Sequence, residues 1–488
     1  MTLWHEDRLL IDGELVPADN GATYETIDPA TEEVLGTAAD ASLDDTARAI
    51  TAARRAFDTT DWSTDVAFRV RCLRQLHKAL LDNVEGLREI IVREAGAPVS
   101  STSGPQLEAP IDIVSWYADL VEGYAFTEDL GERDTFAGRH HRWIEKEAAG
   151  VVAGITAYNY PIQLALAKLA PALAAGCTVV LKGAPDTPWA TLALGKLVAE
   201  ATDIPPGVVN VITSSAVEVG ELLTTHPDVD VVSFTGSTPV GRQIMAAASA
   251  TVKRVFLELG GKSAFVLLDD GDVAAAAMVG AYASTSHCGQ GCAITSRLVV
   301  PRDKYDDVVD AAREMLAGIA YGDPTDPANM MGPLISARQR EKVAGYVDRA
   351  IADGAKAVAG GGIPEHLPQG FFFEPTLLAG ADENSAVAQD ELFGPVLVVL
   401  PHDGDDDAVR VANNSIFGLS GAVLSADRDR AIAVGRRIRS GTMSINGGVY
   451  YGPDAPFGGY KQSGIGREMG AAGLMEFLEL KTLAEPAG

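Results

Sequence analysis

Beyond residue 150 the chain is paced by short, uninterrupted apolar runs. They fall at 151–155, 179–181, 208–212, 231–234 and 255–257, with stretches between them long enough for one helix each. Runs that do not alternate with polar residues suit strands buried on both faces, so this spacing predicts a parallel sheet covered by helices. Such sheets take ligands beyond the C-terminal ends of their strands. A second series starts at 264–268 and continues through 298–300 to 443–446. The predicted fold class is therefore α/β, with two doubly wound parallel-sheet units, the first Rossmann-like. The stretch from Thr127 to Lys146 breaks the rhythm with charged, weakly periodic sequence such as Glu132-Arg133-Asp134 and Arg139-His140-His141-Arg142. Read on its own it is a solvated loop.

At 488 residues the chain exceeds what one hydrophobic core supports, so several units are expected. A hydrophobic fraction of 47% with 22% charged residues is that of a folded soluble protein. A formal net charge of −28 opposes long-range attraction to nucleic acid or anionic lipid, and neither is expected as a partner. The segment Met1-Thr2-Leu3-Trp4-His5-Glu6-Asp7 lacks a basic region followed by an apolar stretch, and no apolar run reaches membrane-spanning length. The expectation is a cytoplasmic protein. Four cysteines, Cys72, Cys177, Cys288 and Cys292, are too few and too irregular for a disulfide framework, and although Cys288 and Cys292 invite a metal reading, no second Cys or His pair has zinc-finger spacing, so no metal is expected.

Candidate chemistry clusters at the junction of the two series. Cys292 lies in Gly289-Gln290-Gly291-Cys292, a glycine-rich bend that suits an accessible nucleophile with a lowered pKa, although a free cysteine is as readily a small buried hydrophobe. Glu258 ends an apolar run before Gly260-Gly261, where burial raises a carboxyl pKa towards the range of a general base; an exposed surface glutamate is the alternative. Asn159 precedes Pro161 at a strand-to-helix junction, as an oxyanion donor or simply as a helix cap. Gly236-Ser237-Thr238-Pro239-Val240-Gly241 follows a strand and opens a helix. Its small residues and free N–H groups suit a pyrophosphate, or only a cap. No Gly-x-Gly-x-x-Gly follows a strand, and the P-loop-like ending Gly261-Lys262-Ser263 has Phe256 where the first glycine belongs.

These four elements in this order resemble the NAD(P)-dependent aldehyde dehydrogenase family, from Asp12-Gly13 to Phe457-Gly458-Gly459-Tyr460-Lys461-Gln462-Ser463-Gly464. The resemblance implies a non-acylating enzyme that oxidises an aldehyde to a carboxylic acid through a thiohemiacetal and thioester on Cys292. Asn159 would stabilise the oxyanion and Glu258 activate the hydrolytic water. It places Lys182, Gly236, Ser237, Gly241, Glu391 and Phe393 at the dinucleotide. Many NAD-preferring members carry a glutamate where this chain has Pro185, so NAD is expected with NADP also accepted. A substrate tunnel is implied from Tyr160, Gln163, Leu164 and Ala167, spaced along one helix face, with Gly291, Ala293, Tyr450, Tyr451 and Phe457. It holds no cation cluster, which favours an apolar or aromatic aldehyde. The implied division is a cofactor-binding domain at 1–125 and 149–259, a catalytic domain at 260–461, and a β oligomerisation arm with C-terminal tail at 126–148 and 462–488, giving a homodimer or homotetramer. The rival chemistries are CoA-acylating oxidation and a non-redox cysteine thioesterase or esterase.

Overall fold

The computed structural model describes residues 4–487; Met1, Thr2 and Leu3 of the N-terminal segment read above, and Gly488 of the tail, lie outside the described residues. Every apolar run of the first series is a strand. Five of them pair in parallel, in the spatial order Arg254–Glu258, Val231–Thr235, Val151–Ile155, Thr178–Lys182, Val209–Ile212. The chain leaves Val151–Ile155 in one direction for two strands, then crosses back to add two more on the other side. Val151–Ile155 and Val231–Thr235 therefore flank a topological switch point, and the loops leaving their C-terminal ends diverge into a crevice. Those loops carry Asn159 and Gly236-Ser237.

The helix Pro161–Ala175 covers this sheet and is apolar on nearly every side, as a helix packed on all faces must be. Its one lysine, Lys168, is fully buried. On one edge the sheet is extended by the hairpin Leu9–Ile11 and Glu14–Val16; on the other it is closed by Gly464–Ile465, antiparallel to Arg254–Glu258. The sequence division placed 462–488 wholly in an arm and tail. Met469, Leu474, Phe477 and Leu478 pack into the first core, and the last strand leaves it only after Leu478. Their apolar side chains need burial that an exposed tail does not provide.

The second sheet runs in the order Lys356–Ala359, Thr376–Ala379, Val396–His402, Thr295–Pro301, Ser263–Leu267, Gly421–Leu424, Ser444–Ile445, parallel apart from its first strand. Alternate residues serve opposite faces: Ala264 and Val266 join one core, Phe265 and Leu267 another. The stretch read as a solvated loop forms two long strands, Thr127–Thr135 and Gly138–Ala148, and the second pairs with Leu478–Pro486. Their mostly exposed side chains explain why no apolar signal marked them. No helix among the described residues is long and apolar enough to cross a membrane.

Candidate active site

The nucleophile loop is built by backbone strain and close packing. After the helix Val273–Thr285, His287, Cys288 and Gly289 take successive left-handed conformations, with φ of 45°, 55° and 72°. For the two non-glycine residues that costs on the order of 1 kcal/mol each. A β-carbon on Gly289 would collide with the carbonyl of Gly394, so this position admits only glycine. Gln290 locks the turn. Its Oε1 accepts from the Tyr158 hydroxyl at 3.2 Å and from Ile335 N at 3.0 Å, while its Nε2 donates to the carbonyls of His287 and Pro333. Cys292 follows, half-buried, at the wall of a cleft of about 550 Å³ that Asn159, Glu258, Gly236, Ser237, Glu391 and Phe393 also line.

Asn159 is held from two sides. Its Nδ2 donates to the Gln290 carbonyl at 2.8 Å, and its own carbonyl accepts from the buried Gln106 at 3.0 Å. One amide hydrogen thus fixes the carboxamide against the nucleophile loop and the other is left for a ligand oxygen. Glu258 is 2% exposed, and neither carboxyl oxygen has a hydrogen-bond partner. Burial holds its pKa well above the usual carboxylate range; neighbouring Glu468 adds to this, and Lys168 opposes it. Glu468 reaches the cleft wall from the C-terminal segment and makes a buried ion pair with Lys168 at 2.9 Å. The lowered thiol pKa expected of Cys292 is not found. Burial, together with Glu258, Glu391 and Glu468, pushes it above its ordinary value, because the loop places the sulfur among carboxylates and supplies no side-chain cation.

At the other end of the cleft Ser237 precedes the helix Thr238–Ala248 without capping it through its side chain, so the first N–H groups remain available to an anion. Thr235 Oγ1 nearby is buried and unpartnered. Glu391 accepts from Gly261 N at 2.9 Å, and Phe393, held at φ 61°, stacks edge-on against Tyr158 at 6.0 Å. Gln339 Nε2 fastens that strained turn through the carbonyls of Leu392 and Phe393. Lys182 and Gly241 lie outside the cleft wall. Lys182 is buried at its strand end near the carbonyls of Gly183 and Ser214, its pKa pushed by burial down to about 8 against the pull of Asp40. Gly241 is required by packing, since a β-carbon there would meet Leu259 at 2.7 Å.

Of the tunnel residues, Tyr160, Gln163, Leu164, Gly291, Ala293, Tyr450, Tyr451 and Phe457 line the cleft. Ala167 does not: the cleft ends at Leu164, and the next helical turn is packed into the core with Ala167 1% exposed. The space beside Gly291 is taken by Ile294, whose Cδ1 would lie 2.7 Å from a β-carbon. Cys72, Cys177 and Cys288 are buried. Among the described residues no group of three or more His, Cys, Asp or Glu side chains is placed to hold a metal ion.

The profile described as the aldehyde dehydrogenase family matches residues 15–483. The chain belongs to that family. It is 39% identical over 477 residues, 97% of each chain, to the 3-succinoylsemialdehyde-pyridine dehydrogenase of a Pseudomonas species. It is 36% identical to the putative aldehyde dehydrogenase DhaS of Bacillus subtilis, covering 98% of this chain and 95% of the other. Among solved structures, aldehyde dehydrogenase C of Pseudomonas syringae, a cysteine-to-alanine mutant with NAD+ and octanal, superposes with a TM-score of 0.92 at 37% identity, covering 98% and 96% of the two chains. A Mycobacterium tuberculosis aldehyde dehydrogenase with NAD+ gives 0.94 at 38% identity, covering 99% and 98%. For an aldehyde dehydrogenase the buried Lys168–Glu468 pair behind Glu258, and Gln106 behind Asn159, are the groups the sequence reading missed. Lys168 was visible as the single charge in an apolar helix; Gln106 and Glu468 carried no local signal.

Proposed function

We propose that the protein oxidises an aldehyde to a carboxylic acid with NAD+. The observation that carries this reading is the convergence of Cys292, Asn159 and Glu258 on one cleft whose other end offers Gly236, Ser237 and the Glu391 carboxylate. That end fits a dinucleotide: an open helix N-terminus faces a pyrophosphate, Thr235 has an unused hydroxyl, and Glu391 offers a carboxylate to ribose hydroxyls. When bound, the dinucleotide supplies the hydride acceptor. The Cys292 sulfur, once deprotonated, adds to the carbonyl carbon. The free Asn159 Nδ2–H and the Cys292 backbone N–H donate to the resulting oxyanion, each such donor contributing about 3 kcal/mol. Loss of hydride leaves a thioester on Cys292. Glu258, in its ionised form, takes a proton from water that then displaces the thiol. Because the base lies in the cleft, hydrolysis is favoured over transfer to CoA.

The cleft wall beside Cys292 includes Tyr160, Leu164, Ile294, Tyr450, Tyr451 and Phe457, while Lys342 lies at the Glu391 end, and this supports an apolar or aromatic aldehyde. The Pseudomonas relative named for a succinoyl-semialdehyde on pyridine, and the neighbour holding octanal, are in keeping with that class. Pro185 is exposed and offers nothing against a 2′-phosphate, but Asp40 lies close enough to Lys182 to raise its pKa; NAD is the preferred and NADP a tolerated cofactor. The strands 127–135, 138–148 and 478–486 leave an open edge that suits pairing between subunits of a homodimer or homotetramer. The four free cysteines fit a reducing, cytoplasmic setting. A panel of aliphatic, aromatic, cationic and phosphorylated aldehydes, followed by absorbance of the reduced dinucleotide with NAD or NADP and with or without CoA, tests the reading. Acid formation from apolar aldehydes without CoA is expected; strict CoA dependence or no reduction with any aldehyde would reject it.

A further inference from the structure

Lys262 is a buried charge that the chemistry above leaves unused. It is 2% exposed, and among the described residues its ammonium makes no hydrogen bond or ion pair. Such isolation is costly unless a nearby opposite charge compensates. Glu391, and after it Asp390, are the opposite charges that act on it. The Glu391 carboxylate sits against the turn just before Lys262: Oε1 accepts from Gly261 N at 2.9 Å, and a β-carbon on Gly260 would collide with Oε2. The paired glycines are therefore the seat of this carboxylate. Lys262 and Glu391 also line a small pocket behind the cleft, together with Gly261 and Phe393, with room for about one water molecule to bridge them.

We propose that Lys262 is a positioning residue for the cofactor: its buried ammonium keeps the Glu391 carboxylate charged and seated on Gly260-Gly261, facing the ribose. This rests on Glu391 being a ribose ligand. The groups that act on the pair are few. Glu391 faces Lys342 from the helix Ala337–Ala352, the Cys292 thiol from the nucleophile loop and the Tyr158 phenol; Lys262 faces Arg297 from the strand Thr295–Pro301, and also Lys342 and Asp390. Burial pushes Glu391 up to about 7, opposed by the Gly261 hydrogen bond and by both lysines, and pushes Lys262 down to about 7. Lys342 is exposed and its attraction is weakened by salt, whereas that of Lys262 is not. Below neutrality a proton on Glu391 replaces the ribose's charged, two-oxygen acceptor with a weaker neutral one.

The test measures the Kd for NAD+ by fluorescence titration from pH 5.5 to 9 in physiological salt. The wild type should bind more weakly as pH falls. Lys262→Met should move that loss upward by about one pH unit, weakening binding about tenfold near pH 6.5 and less than about threefold at pH 9. Lys262→Arg should keep the wild-type profile, and Lys262→Met/Glu391→Gln should bind no worse than Glu391→Gln. A Lys262→Met protein with an unmoved profile, or a Lys262→Arg protein that behaves like it, overturns the proposal. Should Lys262→Met fail to fold, a wild-type Kd that does not change over this range overturns it equally. Unimpaired binding by Glu391→Gln would instead remove Glu391 from the ribose site.

Discussion

Burial of a carboxyl group without hydrogen bonds disfavours its ionised form, and for Glu258 this raises the pKa well above the usual carboxylate range. Since only its ionised form can accept a proton, acid release should accelerate as pH rises towards its elevated pKa. Glu258→Gln should flatten that rise, give a burst of about one reduced dinucleotide per competent site, and slow later turnover about 10²- to 10⁴-fold. Stopped-flow mixing with NAD+ and aldehyde measures both. An absent burst would place Glu258 before hydride loss, and unchanged turnover would remove it from the reaction. Burial, aided by the neighbouring carboxyl groups, raises the Cys292 thiol pKa in the free protein, so iodoacetamide should label it slowly at neutral pH and faster as pH rises, with Cys292→Ala unlabelled and inactive while Cys72→Ala keeps its activity. Peptide mass spectrometry after timed labelling reads the site; fast labelling at pH 6 would contradict the electrostatics. Asp40→Asn removes the charge beside Lys182 and should improve kcat/KM for NADP relative to NAD by about tenfold, the scale of one lost charged contact. An unchanged ratio would place cofactor discrimination elsewhere.

Among the elements, the helix Pro188–Ala201 is capped from outside. Its Thr187 makes no side-chain cap, and the first N–H groups, those of Trp189 and Ala190, donate to Glu94 at 3.0 and 2.6 Å from the end of another helix. Glu94→Ala leaves two buried donors unpaired and should cost about 2–6 kcal/mol, at about 1–3 kcal/mol per group. Burial raises Glu94 to about 8, above its unfolded value of 4.5, so between those values the folded state binds the extra proton and stability falls as pH rises. Urea unfolding of wild type and Glu94→Gln at pH 5 and 8 checks the sign: the wild type should lose more. The strands of both sheets were legible because burial on two faces writes continuous apolar runs. Lys168 stood out as a lone charge but its role did not, and Gln106 gave no signal at all, because the meaning of each depends on contacts 300 and 53 residues away. At Gly241 and Ala167 a small residue has a second source, since packing against Leu259 and against the core asks for the same size as a ligand would. The arm strands carried no signal in the apolar pattern and were expected only from the resemblance, because exposed pairing needs no apolar code.

For the molecule as a whole, the strand Leu478–Pro486 pairs with residues 140–148 of the strand Gly138–Ala148, which leaves it and Thr127–Thr135 as the two outer edges of the arm sheet. Deleting residues 478–488 should shift the mass measured by light scattering towards monomer while the cleft, which those residues do not line, still binds NAD+. A full-length protein that is already monomeric would end the assembly reading. The closing strand Gly464–Ile465 has a different consequence, in time rather than space. The second sheet is complete within 263–445, but the first lacks one edge until 464–465 is present. During synthesis, then, the unit begun first is finished last. The ribosome must deliver the whole catalytic sheet before Arg254–Glu258, the strand that carries the base, gains its outer neighbour, so a chain interrupted near residue 450 would hold a finished second sheet beside an unfinished site.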